Sequence, residues 1–320
     1  MRLAAALLVL ATPALAEVQP DAIAAPRPVR LLSDYGFFDD LAAGTPAPGV
    51  VPYVISAPLF TDYADKDRFL YTPVPVDPGT GGLLDLPVGA ALIKTFRYGD
   101  HRVETRVLLH QASGWKAWPY VWNADGTEAE LRLAGADMTI DTGHGPAAYH
   151  VPNANQCKAC HIGADKQITP IGPKLRNLNT GDQLDRLAEA HVLTSVPAEA
   201  PAVPDYTDTA VPLDARARSW LDANCGHCHA PGHPADTSGL YLTWDEADPL
   251  RLGVMKRPVA AGRGSGNLEY DIVPGDPDAS ILLYRLTSTD PGVMMPELGR
   301  SMVPDEGAAL IRDWIASLKE

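Results

Sequence analysis

The sequence predicts an α+β protein in which a β-rich N-terminal domain is followed by two mainly α-helical modules. Three observations carry this expectation. Short β-branched and aromatic segments, separated by Gly, Pro and Asp clusters, fill residues 50–122. Amphipathic helical patterns appear only after residue 180, and a short pattern, CxxCH, occurs twice, at residues 157–161 and 225–229. A chain of 320 residues leads one to expect two or three domains, and 46% hydrophobic residues is enough for a full core.

The first residues, MRLAAALLVLATPALAE, place Arg2 before an apolar run and end on Ala14-Leu15-Ala16. This reads as a secretory signal cleaved after Ala16. The run Leu3 to Leu10 is too short to span a bilayer, and no later stretch reaches about 18 apolar residues, so no membrane span is expected in the mature chain. Glu17 rather than Cys follows the cleavage site, which excludes a lipid anchor there.

After a Pro/Ala-rich lead, the segments Val50 to Ser56, Arg68 to Pro73, Ala91 to Tyr98, Arg102 to His110 and Lys116 to Trp122 are expected to be strands. Turn clusters at 77–82, 98–100 and 123–126 separate several of them, as in antiparallel hairpins. Trp115, Trp118, Tyr120 and Trp122 are expected in the sheet core. Residues 17–150 are therefore assigned to the lead and the β-rich domain.

From Val151 the texture changes. The run VPNANQCKACH leads into a Pro/Gly-containing loop, a helical pattern over residues 182–190 and an extended Pro/Ala linker at 195–204. Residues 151–210 form the first module. In the second, residues 211–320, a helix with Leu213, Ala217, Trp220 and Leu221 on one side runs into the second CxxCH. An amphipathic helix from Asp305 to Leu318, acidic at its start as the helix dipole favours, closes the chain.

All four cysteines belong to the two motifs: Cys157 and Cys160 before His161, and Cys225 and Cys228 before His229. This spacing lets two thiols form thioethers with the two vinyl groups of one haem and sets the following His beneath the iron. Two covalently bound haem c groups are expected, with His161 and His229 as proximal ligands. A redox-active disulfide does not require the following His, a separation of 68 residues is long for a zinc ribbon, and two structural disulfides would not produce two matches that exhaust the cysteines. Covalent attachment of this kind occurs outside the cytoplasmic membrane, so motif and signal agree on a periplasmic location.

A Met sulfur opposite the His stabilises reduced iron. Met295, directly before Pro296 on the loop preceding the last helix, is assigned to the second iron, ahead of Met294 and Met302. The first has no such partner, since His191 is the only His and no Met lies between His161 and Cys225. His110, His150, Met138 and His191 are its weak candidates for distal ligand, with His144 also noted, and an open position is the remaining option. His227 and His233 lie too close to the second attachment site to serve as distal ligands there.

The run YHVPNANQCKACHIGADKQITPIGPKLRNL with Gln183-Leu184, and then ARSWLDANCGHCHAPGH, VPGDPDASILLYRL, MMPELGRSMV and LIRDWI, resembles a family of exported bacterial dihaem c-type cytochromes. The ETR, VLL, GW and YVWN elements at 104–123 extend the resemblance over nearly all of the mature chain. It implies a dihaem electron carrier and no particular substrate. Dihaem peroxidases also bear two CxxCH motifs, but the β-rich domain and the short separation argue against membership.

The expected function is single-electron transfer between a dehydrogenase or other donor and a respiratory acceptor, with redox proteins as partners. The alternative is a peroxidase-like enzyme reducing a small oxidant at an open first haem. A formal charge of −14 argues against nucleic acid and favours a basic partner face.

Overall fold

The computed structural model describes residues 16–79 and 82–319. Of the expected signal segment, Met1 to Ala16, residues 1–15 lie outside them. Ten strands are described: β1 (Phe38–Asp40), β2 (Thr45–Pro46), β3 (Val50–Pro52), β4 (Asp65–Tyr71), β5 (Ala91–Tyr98), β6 (His101–Gln111), β7 (Gly114–Trp122), β8 (Ala129–Leu131), β9 (Ala136–Asp141) and β10 (Pro146–Val151). The helices are α1 (Pro20–Ala24), α2 (Ala154–His161), α3 (Leu175–Leu178), α4 (Gln183–Glu189), α5 (Leu213–Asn224), α6 (Pro249–Leu252), α7 (Ile281–Thr287) and α8 (Asp305–Ser317).

Strands β3 to β8 pair in sequence order as a six-stranded antiparallel sheet, while β1–β2 and β9–β10 are separate two-stranded ribbons. Alternation sends Phe69, Ile93, Val107, Leu109, Tyr120 and Trp122 to one face. There they bury Ile23, Leu32, Tyr35 and Phe37 of the Pro/Ala-rich lead. The opposite face presents Leu70, Leu92, Leu108 and Ala117, which pack on Cys157, Leu175, Leu178, Leu184 and Leu187. The first CxxCH segment therefore shares a core with the sheet. A third core, built on Trp220, Leu283, Ile311, Trp314 and Ile315, holds α5, α7 and α8 together.

The expectation of two mainly α-helical modules is overturned. Antiparallel sheet organises the molecule, and among the described residues only α5 and α8 exceed eight residues, the longest having 13. The physical reason lies in the prolines. Pro170, Pro173, Pro197, Pro201 and Pro204 interrupt the chain between α2 and α5, each removing a backbone donor and blocking helix propagation. The segments joining the short helices are consequently loops. No helix of the described residues is long and apolar enough to cross a membrane.

Candidate cofactor site

The first motif sits on α2. Asn153 caps this helix, its side chain accepting from the backbone N–H groups of Asn155 and Gln156 at 2.9 Å, while Gln156 Oε1 accepts from Asn153 N at 2.9 Å. A helix over these residues puts Cys157 and His161, four apart, on one face. Cys157 is buried against the sheet. A short bridge, Ile162 to Ile168, folds the chain back so that Thr169 faces His161.

The second motif follows α5. Cys225 ends the helix, and the amides of Cys228 and His229 bond to its carbonyl at 3.1 and 2.9 Å in a tight turn. Just before this motif, Asp222 of α5, which is 3% exposed, ties the helix to α3. Its carboxylate accepts from Arg176 Nη2 at 3.0 Å, Lys174 Nζ at 3.3 Å and the Trp244 amide at 3.1 Å.

The two motif histidines are held alike. His161 Nδ1 lies 3.0 Å from the Thr169 carbonyl and His229 Nδ1 3.2 Å from the Leu240 carbonyl. A carbonyl only accepts, so Nδ1 carries the proton in each ring and Nε2 keeps its lone pair, as metal-ligating imidazoles require. Burial brings both down to about 4, with the Lys94 charge adding to the effect at His161. Both rings are thus neutral near pH 7. No disulfide joins any of the four cysteines. This donor set fits a haem at each motif: Cys157, Cys160 and His161 would hold one, and Cys225, Cys228 and His229 the other.

The fold also brings the motifs together. Ligand atoms of Cys160, His227 and Cys228 all lie within 4.8 Å of one another. Cys228 and His227 beside it hold the Cys160 thiol below the usual thiol range, while Cys160 in turn pushes Cys228 up. His227 is buried, and its Nδ1 has no hydrogen-bond partner. Its place within the second motif gives no sign of this; only the tertiary fold turns it toward the first.

The loop bearing Met295 is held against the second motif's surroundings, with the Arg300 charge acting on Cys225 and the Glu297 charge on Cys228. Met294 is buried, and Met302 accepts a contact from the Thr142 hydroxyl at 3.7 Å. The weak candidates for the first motif are dispersed. His110 Nδ1 bonds to the Leu86 carbonyl at 2.7 Å and its ring stacks on Trp115. Both ring nitrogens of His150 are engaged, by Asp137 at 2.6 Å and Gln156 at 2.9 Å. Met138 packs beside Val103, Ile140 and Tyr149, His144 stacks on Tyr63, and His191 is exposed with φ +57°.

His161 faces a cavity of about 130 Å³ whose walls include Ile55, Leu92, Leu108, Arg68, Lys94 and Arg106. None of the four weak distal candidates lines it. The three cations were unmarked by any sequence motif. A larger cavity, about 810 Å³, borders the sheet and shares Tyr53 and Arg68 with this one.

No family model, curated protein or solved structure matches the chain.

Proposed function

We propose that this protein is a dihaem c-type cytochrome that passes electrons singly between a periplasmic donor, such as a dehydrogenase, and a respiratory acceptor. The observation that carries the reading is the matched pair of motif histidines, each neutral, each with Nδ1 tied to a carbonyl and Nε2 left for iron. Bound haem supplies a one-electron couple whose potential its axial ligand and surroundings set. The chain's own part is positional. The capped helix α2 and the turn after α5 orient the thiols and imidazoles, and Asp222 ties α5 to Lys174 and Arg176 at α3. Adjacent attachment points, Cys160 beside Cys228, suit a relay within one chain.

The test is a haemochrome count on protein matured in a periplasm, together with masses of the peptides bearing Cys157/Cys160 and Cys225/Cys228. Two thioether-linked haems and reversible one-electron titration are expected. Unmodified cysteines in both peptides reject the reading.

A second reading is favoured by the Cys160–His227–Cys228 cluster. Two sulfurs and an imidazole in one place form a donor set for a soft or borderline ion such as Cu(I) or Zn(II). One equivalent of such a metal on a chain without haem adducts selects it.

A further inference from the structure

On the face of the sheet that packs against the first motif, Arg68 of β4 pairs directly with Lys94 of β5, and Lys94 pairs directly with Arg106 of β6. Three cations thus stand side by side across three neighbouring strands, with Lys66 two residues from Arg68. Like charges placed directly opposite repel. Counter-charge is scarce: Glu104, fully buried, pairs with Arg106, but no ion pair to Arg68, Lys94 or Lys66 occurs among the described residues. Arg68 and Lys66 reach only backbone carbonyls, of Lys66 and Ala64. Lys94 lies 5.1 Å from the Phe96 ring centre, a ring that Arg106 and Lys66 also approach.

Lys94 is pushed well below the ordinary lysine range by burial and by Arg106, Arg68 and Lys66 around it. Arg106 has Glu104, but the half-buried Arg68 and Lys94 lack an ionic partner unless something anionic joins them. Arg68, Lys94 and Arg106 all line the cavity that His161 faces, with Tyr53 beside them. A volume of about 130 Å³ suits carboxylate groups and their solvent, not an enclosed drug-sized molecule of ~300–1,000 Å³.

We propose that the row Arg68–Lys94–Arg106 is a carboxylate-binding site whose occupants are the two propionates of the haem attached at Cys157 and Cys160. The assignment rests on the cytochrome reading above. Arg106 spends Nε and Nη2 on Glu104, so the Arg68 fork and the Lys94 amine are the groups free to take a carboxylate, and a fixed positive charge beside the iron favours its reduced state. The row would therefore both seat the first haem and raise its potential.

The test uses haem-matured protein carrying Lys94→Gln, Arg68→Gln or both, with Arg97→Gln on the opposite face as control. Potentiometric titration should show the first haem's midpoint shifted downward in each single variant and further in the double, with the second haem and the control unmoved. Malonate added to the wild-type protein should not bind, because the row is filled. Unchanged midpoints in variants that retain two haems overturn the proposal. So does saturable malonate binding, which assigns the row to a free dicarboxylate from solution. A peptide mass showing no haem at Cys157 and Cys160 instead rejects the cytochrome reading itself, and the two failures are told apart by that mass.

Discussion

Arg300 donates to the carbonyl of Met295 twice, from Nε at 3.1 Å and from Nη2 at 2.9 Å. The rest of its guanidinium reaches the carbonyls of Arg285, Ser288 and Met302 at 3.2, 3.0 and 2.9 Å. One buried side chain thereby fixes the backbone on both sides of Met295, and only a planar fork with five donors can do so. If Met295 is the sulfur ligand of the second iron, Met295→Ala should lower that haem's midpoint while leaving it attached. Arg300→Lys should weaken the same sulfur-ligation signature in the absorption spectrum and destabilise the fold by roughly 1–3 kcal/mol for the carbonyls left dry. A redox titration of Met295→Ala that overlays the wild type rejects the ligand assignment.

Asp62 connects the sheet-bearing half to the same loop. Its carboxylate is 3% exposed and accepts from Ser301 N at 2.8 Å, Ser301 Oγ at 2.9 Å and Met302 N at 2.8 Å. Hydrogen bonds to a charged acceptor contribute about 1.5–3 kcal/mol each, and Asp62→Ala strands two amides at once. A loss of about 2–4 kcal/mol in urea unfolding is expected. Asp62→Asn, which keeps one acceptor oxygen, should recover part of it. Equal stability of Asp62→Ala and wild type would show that water replaces the carboxylate.

The sheet was the legible part of this chain. Ala91–Tyr98 runs as its β-branched and aromatic residues indicated, and the turn at Gly99 closes a hairpin where the 98–100 cluster marked one, whereas the turn at Ala112 and Ser113 carried no such mark. Trp122 and Tyr120 are buried, as expected of sheet core. Helices α5 and α8 follow their apolar stripes. The β9–β10 ribbon was missed because Ala, Asp and Pro, residues of low strand preference, make up half of its two short segments and mask the alternation of buried Ile140, Ala147, Tyr149 and Val151. The motifs named the thiols and imidazoles, but no local pattern could show that Cys160 and His227 meet. The cation row was hidden for a different reason. Charged residues alternating along a strand ordinarily mark a solvent face, and only the register, with the first motif's segment laid over it, makes Arg68, Lys94 and Arg106 a half-buried row.

His150 couples the β9–β10 ribbon to the start of α2. Its two ring nitrogens face acceptors, Asp137 Oδ1 and Gln156 Oε1, and the latter is already occupied by the Asn153 amide. Both nitrogens can donate only in the imidazolium, so the Asp137 bond first and the Gln156 bond second raise its pKa above 6.5. A raised folded-state value means that the contribution to stability is fully present below about pH 6.5 and is lost as pH rises through the folded value. The total unfolding free energy also carries the buried neutral His161 and His229, which act in the opposite direction below about pH 6.5. The difference between wild type and His150→Gln, measured from about pH 5 to 8, isolates the His150 contribution and should shrink as pH rises; a difference that is flat with pH would remove His150 from the account.

The packing of α8 on α5 depends on a missing side chain. A Cβ at Gly307 would lie 2.5 Å from both Cε2 and Nε1 of Trp220, which is 2% exposed and locked in the core with Trp314 and Ile311. Two effects oppose each other in Gly307→Ala. Helix propensity favours alanine by at most about 1 kcal/mol, less in the first turn. Overpacking a full core costs about 1–3 kcal/mol, and the neighbour here is a rigid indole rather than the tip of a flexible chain. The overpacking should win, lowering the unfolding midpoint. Placing Gly307→Ala in a Trp220→Phe background opens the space the indole filled, so the alanine should then cost little or stabilise. The double-mutant cycle measures that coupling directly. A Gly307→Ala protein as stable as wild type in both backgrounds would show that α8 shifts away from α5 at no cost.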